Sequence, residues 1–430
     1  MNIISRLAFA KKALPILIAR FTGIGLAFLV TLILGRFLGP ESFGEYSYYL
    51  SIGNIVIVII GFGFPIHLLK STASANTAQK RTELASLILF STLSIIFFGS
   101  IFFLFSFFFL KDNYLIWILV FSFSSLSALL FLWTKFLEGQ NKVLYGQIQQ
   151  TVTYRIIFIL VILFSTIVIK ETNELDVKTA LLSNNLSLLL TLIISIFLGL
   201  YFFLPQIDFK KVQFKFDLKF FKNSYPFALL GIVFAVFGNI NVILVAELST
   251  KTEAGIYQIA YQIAFLASFG LLVANAINAP RFAKFWAENN KKSLQNVLSQ
   301  TTIFATVFCC ISTLVIIIFG HSIITLGFGI AYSGAYLPML ILLISQAVGT
   351  FFGPGAMLLS MTGNEKIATR AILFSIIINI VFAFIFIPDY GSLGAALSRS
   401  IAVLFSLFYM FFYIYKNLGF NSSILNINTE

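Results

Sequence analysis

Apolar runs of about 17 to 27 residues follow one another almost from end to end of this chain, each bounded by charges or by Gly/Pro clusters. As a helix, each run is long enough to cross the ~30 Å hydrocarbon core of a bilayer, and only elements that satisfy their own backbone are admitted there. The pattern predicts an all-α integral membrane protein. Twelve transmembrane helices are expected, near residues 14–38, 48–64, 84–110, 114–136, 151–169, 180–204, 225–248, 254–279, 302–319, 336–361, 367–387 and 393–415. Composition agrees. The chain is 59% hydrophobic and 10% charged, where a soluble chain carries about a quarter charged residues. No expected loop exceeds roughly twenty residues, so no soluble catalytic domain has room.

The net charge of +12 then becomes a question of topology. If every crossing is real, Lys and Arg alternate between rich and poor loops. Twenty of the 28 basic residues fall on the side of the N-terminus, five (Arg36, Lys111, Lys170, Lys178, Lys251) on the other, and Arg20, Arg155 and Arg399 lie within spans. The poor side also carries Glu171, Glu174 and Asp176. This bias places both termini in the cytoplasm and makes nucleic acid an unneeded partner. The N-terminal stretch, with Arg6, Lys11 and Lys12 before an apolar run, is read as a retained first helix, because the run contains Arg20 and lacks a small-residue cleavage site. Cys309 and Cys310 are adjacent within an apolar run and offer neither a disulfide framework nor metal-ligand spacing. No cofactor and no metal are called for.

The chain looks duplicated. Gly44-Glu45-Tyr46 follows the first span and Gly255-Ile256-Tyr257 the seventh, 211 residues apart in a chain whose half-length is 215. Gly139-Gln140-Asn141-Lys142 and Gly363-Asn364-Glu365-Lys366 repeat at an offset of 224. Six spans per half give the halves one orientation, as in parallel-repeat transporters, so two six-helix lobes around a central cavity are expected, residues 1–209 and 210–430.

The stretch Leu34-Gly35-Arg36-Phe37-Leu38-Gly39-Pro40-Glu41-Ser42-Phe43-Gly44-Glu45-Tyr46 resembles the end of the first helix in bacterial polysaccharide and O-antigen flippases. Gly255-Ile256-Tyr257, Gly363-Asn364 and Tyr390-Gly391-Ser392-Leu393-Gly394-Ala395-Ala396 are similar to that family too, and with twelve spans the resemblance covers essentially the whole chain. These flippases belong to the multidrug/oligosaccharidyl-lipid/polysaccharide exporter superfamily. The resemblance implies a protein of the bacterial inner membrane that moves an undecaprenyl-diphosphate-linked oligosaccharide from the cytoplasmic to the periplasmic leaflet by alternating access, for O-antigen, capsule or exopolysaccharide synthesis. Its implied partners are that lipid-linked oligosaccharide, membrane lipids and other polysaccharide assembly proteins.

Such a substrate needs fixed cations and polar groups inside the membrane. Intramembrane arginine is costly and marks function by default, and its planar donors suit phosphate. Arg20, about seven residues into its span, is within snorkelling reach of the cytoplasmic surface, and Arg155, four residues into its own, is shallower. Arg399 approaches from the opposite face, against the charge bias, and is the strongest candidate. Asn239 and Asn241 interrupt the seventh span, while Tyr257, Gln258, Tyr261 and Gln262 recur at helical spacing on the eighth. That face can bond sugar hydroxyls, or it can cement helix packing. Gly353-Pro354-Gly355 predicts a kink and a candidate hinge.

A multidrug or organic-cation antiporter of the same superfamily is the alternative. It expects carboxylates buried in the spans, whereas here acidic residues fall in loops or near span ends, Glu247 coming closest to an exception. His67 and His321 also lie near ends. A membrane glycosyltransferase or polysaccharide polymerase expects a long extramembrane loop with clustered acids, which the spacing of the spans leaves no room for. The chain is not expected to be an enzyme.

Overall fold

The computed structural model describes residues 3–73, 78–109, 113–168, 175–203 and 219–425, and no strand occurs among them. The helices are α1 (Ile3–Gly61), α2 (Phe64–Ala73), α3 (Ala78–Phe109), α4 (Tyr114–Gly139), α5 (Val143–Ile148), α6 (Tyr154–Val168), α7 (Val177–Phe203), α8 (Lys219–Leu248), α9 (Lys251–Ala267), α10 (Phe269–Ala287), α11 (Lys291–Ser322), α12 (Tyr336–Phe351), α13 (Gly355–Met361) and α14 (Glu365–Tyr413). A π-helical turn, Gln149–Thr153, joins α5 to α6.

Among the described residues, nine helical stretches are long and apolar enough to cross a membrane, and α9 with α10, bent by 48° at Ser268, makes a tenth. Two of the nine are double. α1 is interrupted at Gly39 (φ 71°) and α14 at Gly391 (φ 52°), left-handed backbone that glycine adopts without a Cβ penalty. Divided there, the described stretches resolve into twelve segments, and the chain is an all-helical, multi-pass membrane protein.

The boundaries differ from the sequence reading where polar residues find partners inside the bundle. The fifth span begins at Val143 instead of residue 151, because the polar run through Gln147, Gln149 and Thr151 is helical. The Gln147 amide bonds Glu138 and Arg20 and the Thr151 hydroxyl bonds the Gln147 carbonyl, so most of the run's polar groups are satisfied, while Gln149 Oε1 is buried without a partner. α11 starts at Lys291, capped by the Asn290 side chain, which accepts from the Ser293 N–H.

The chain forms two compact units. Unit 1 comprises Met1–Leu38 and Tyr49–Ala235, and unit 2 comprises Gly39–Tyr48 and Val236–Glu430. The expected boundary at 209/210 lies outside the described residues, as do Glu171 and Glu174 of the acidic cluster and the basic residues Lys210, Lys211 and Lys215. The core of unit 1 gathers Ile60, Phe64, Leu68, Leu132 and Phe136, all within 1% of full burial. That of unit 2 is centred on Phe282, Leu298, Leu358, Leu359 and Ile414. Large exposed apolar side chains such as Phe164, Phe197 and Leu314 are the faces that acyl chains cover.

Candidate functional site

In unit 2 the site is built on α8, α9 and the 392–413 limb of α14. Thr250 caps α9 by accepting the Glu253 N–H at 3.1 Å, and the helix then presents Glu253, Tyr257 and Tyr261 at i, i+4 and i+8. The α14 limb begins after Gly391 and carries Arg399 seven residues beyond Ser392, about 10 Å along the axis. Arg399 is only 6% exposed. Its guanidinium donates from Nη1 to the Phe237 carbonyl at 2.9 Å and from Nη2 to the Tyr261 hydroxyl at 3.2 Å. It also lies 5.0 Å from the Phe237 ring centre and 4.6 Å from that of Tyr261, within cation–π range. No carboxylate among the described residues pairs with it, and the neighbouring Tyr257 hydroxyl is buried without a hydrogen-bond partner.

Beside this cage lies a buried amide pair. The Asn379 side chain donates to Asn241 Oδ1 at 2.7 Å, while Asn241 Nδ2 faces Asn379 Oδ1 (3.2 Å), the Ala395 carbonyl (3.3 Å) and Ser398 Oγ (3.5 Å). These bonds tie α8 to both limbs of α14. Asn239, Gln258, Tyr261 and Gln262 are half-buried. The duplicated glycines meet each other in this unit: a Cβ on Gly44 would collide with the Lys251 carbonyl oxygen, and one on Gly255 with that of Pro40. Lys251 Nζ sits 3.5 Å from the Tyr48 ring centre at the same crossing.

In unit 1 the structure gathers Arg20 and Arg155 around Thr151. Thr151 Oγ1 donates to the Gln147 carbonyl at 2.7 Å and reaches the Ala19 carbonyl of α1 at 3.4 Å, and its own carbonyl accepts from Arg155 Nη1 at 2.6 Å. Arg20 is exposed and donates from Nε to Gln147 Oε1 at 3.2 Å. Gln147 in turn donates to Glu138, whose carboxylate pairs with Lys135 at 2.7 Å. Because the helix starts at Val143, Arg155 stands twelve residues in, about 18 Å along the axis and mid-way through the span 143–167. The shallow position expected for it is therefore corrected. Its one hydrogen bond holds it to its own preceding turn.

The expected kink at Gly353, Pro354 and Gly355 is a break between α12 and α13, with Gly353 at φ 77° and packed against Thr302 Oγ1 and the Ser422 carbonyl. His67, in α2 outside the spans, has Nδ1 3.0 Å from Ser224 Oγ. Burial, and then the nearby Lys70 charge, hold its pKa below the usual histidine value.

Two residues escaped sequence reasoning. Glu253 bonds the Ser392 N–H, 139 positions away, at 2.8 Å; the spacing Thr250-x-x-Glu253 is a capping-box signature that marks it as a structured acid. Glu138, at the end of α4, is drawn into the Gln147 network, and no local pattern signals that.

Fold and site together define a polytopic helical membrane protein with arginines held inside its spans. The fold is shared with an inward-facing multidrug resistance MATE family transporter of the MOP superfamily (TM-score 0.75, 15% identity, 91% of this chain and 93% of that one) and with the lipid II flippase MurJ in an inward closed conformation (TM-score 0.72, 17% identity, 93% and 87%). The family model described as polysaccharide biosynthesis protein matches residues 9–286, and the MatE model matches residues 226–385. The chain belongs to the polysaccharide biosynthesis protein family. Relatives include an uncharacterized membrane protein of Methanocaldococcus jannaschii, 24% identical over 411 residues, 92% of this chain and 95% of that one. The capsular polysaccharide biosynthesis protein CapF of Staphylococcus aureus is 23% identical over 409 residues, 91% and 95%. The probable low-salt glycan biosynthesis flippase Agl15 of Haloferax volcanii is 23% identical over 197 residues, 45% and 41%.

Proposed function

We propose that this protein is a flippase for a lipid-linked glycan, and that its substrate is an undecaprenyl-diphosphate-linked oligosaccharide moved from the cytoplasmic to the outer leaflet of the cytoplasmic membrane by alternating access. The observation that carries this reading is the pair Arg155 and Arg399, both inside spans and neither paired with a carboxylate among the described residues. An uncompensated cation in the membrane is costly unless something anionic visits it, and a diphosphate supplies that charge. Arg20 and Arg155 in unit 1 and Arg399 in unit 2 are the phosphate contacts of this proposal. Asn239, Gln258, Tyr261 and Gln262 bond sugar hydroxyls, Asn241 and Tyr257 hold the frame around Arg399, and the break at Gly353–Gly355 is the hinge. The glycan biosynthesis and flippase names of the relatives support transport in place of catalysis. Both termini are cytoplasmic, on the strength of the basic-residue bias.

The test replaces Arg399, Arg155 and Arg20 separately by Ala and by Lys in a strain lacking its own copy, with membrane abundance followed by immunoblot and surface polysaccharide quantified. Loss of export in the Ala variants of Arg399 and Arg155 at normal abundance, with partial rescue by Lys, is the expected result. Normal export by all three Ala variants overturns the anionic-substrate reading.

A further inference from the structure

We propose that Glu253 is a positioning residue that sets the register at which Arg399 meets Tyr261; this rests on the reading of Arg399 as an anion contact. Ser392 is the first residue of the α14 limb after the Gly391 break, where backbone N–H groups lack an intrahelical acceptor and the helix dipole favours negative charge. Glu253 Oε2 accepts the Ser392 N–H at 2.8 Å and so satisfies one of those donors from a different helix. Gly391 is fitted to the carboxylate: a Cβ there would stand 2.7 Å from Oε2 and 2.9 Å from Cδ of Glu253. Thr250 already caps α9 by itself, which leaves the Glu253 side chain free for this second helix.

The result is two fixed points between the same two helices. Glu253 holds Ser392 at the first, and the Tyr261 hydroxyl takes Arg399 Nη2 at the second. The points are eight residues apart on α9 and seven apart on α14, about 12 Å and about 10 Å of rise. Such a match requires the two segments to run side by side in the same direction, and a slip of one turn, about 5.4 Å, breaks both contacts. Glu253 is not one of the groups that ring the Arg399 guanidinium. It acts through the helix that carries it.

The test measures binding of undecaprenyl diphosphate to the purified full-length chain in nanodiscs. E253A is expected to weaken binding about tenfold, as loss of a charge-assisted hydrogen bond does. S392P, which removes the donor and sets a ring carbon against the carboxylate, is expected to weaken binding at least as much. E253Q keeps an accepting oxygen and stays within about threefold of the parent. In an R399A background, E253A adds nothing, because its effect passes through Arg399. An equal E253A penalty in both backgrounds overturns the proposal, as does parental binding by E253A and S392P when R399A binds weakly. Parental binding by R399A itself removes the anion reading, and the positioning role with it.

Discussion

Arg399 in unit 2 and Arg155 in unit 1 are the same residue type, both well inside spans and both without a carboxylate partner, yet their surroundings differ. Arg399 is ringed by a carbonyl and an aromatic ring from α8 and a hydroxyl and a second ring from α9. Arg155 bonds only the carbonyl four residues before it, and Arg20 near it reaches a single amide oxygen. A caged guanidinium has already lost its rotamer freedom and fills a structural place. A tethered one keeps most of its donors for whatever arrives. The contrast teaches that a buried, caged cation is part of the fold, whereas a half-buried, tethered one is not; under the function proposed above, the first serves fold and ligand at once and the second chiefly the ligand.

The strongest way to break that contrast is to remove both arginines and compare stabilities. R399A should lower the thermal stability of the purified protein by about 1.5–3 kcal/mol, since two acceptors of a charged donor are orphaned. R155A should stay within about 0.5 kcal/mol. Equal losses in the two melting curves would erase the distinction. Y261F sharpens it by removing one acceptor and leaving the other, so about 1 kcal/mol is expected, less than for R399A, by the same melting measurement. Smaller again is Q147A, which frees Arg20 from its amide partner. A double-mutant cycle with R20A should give a coupling below about 1 kcal/mol. The least effect comes from pH. Neither guanidinium releases its proton in the accessible range, so the contrast should persist on acidification, while His67 contributes a small term in unit 1. Its pKa is depressed in the folded protein, so the neutral ring is favoured there. That stability is whole above the ordinary value of 6.5 and is lost as pH falls through that value toward the depressed one. H67Q should flatten the acid side of the melting profile.

The spans were legible because the length of an apolar run translates directly into helix length. The breaks were legible in Gly39-Pro40 and Tyr390-Gly391-Ser392, where glycine permits left-handed backbone. Arg399 was legible because a cation on the wrong side of the charge bias is conspicuous. Its acceptor was not, since the Phe237 carbonyl is main chain and leaves no mark on sequence. The true start of the fifth span was hidden for a related reason: Gln147, Gln149 and Thr151 look like a loop until Glu138 and Arg20, nine and 127 positions away, are seen to satisfy Gln147. Likewise Gly44 and Gly255 stand out in the sequence as a repeat, but their mutual contact belongs to three dimensions.

The π-helical turn at Gln149–Thr153 adds one residue to the helix just before Arg155. Winding the same residues as ordinary α-helix, with none removed, would rotate everything beyond them by roughly 100°, the angle one residue takes in an α-helix. Hydropathy, charge and span length would scarcely change, while Arg155 would swing away from the Thr151 neighbourhood. In this stretch the phase of the helix, set by its winding, decides which way the charge points.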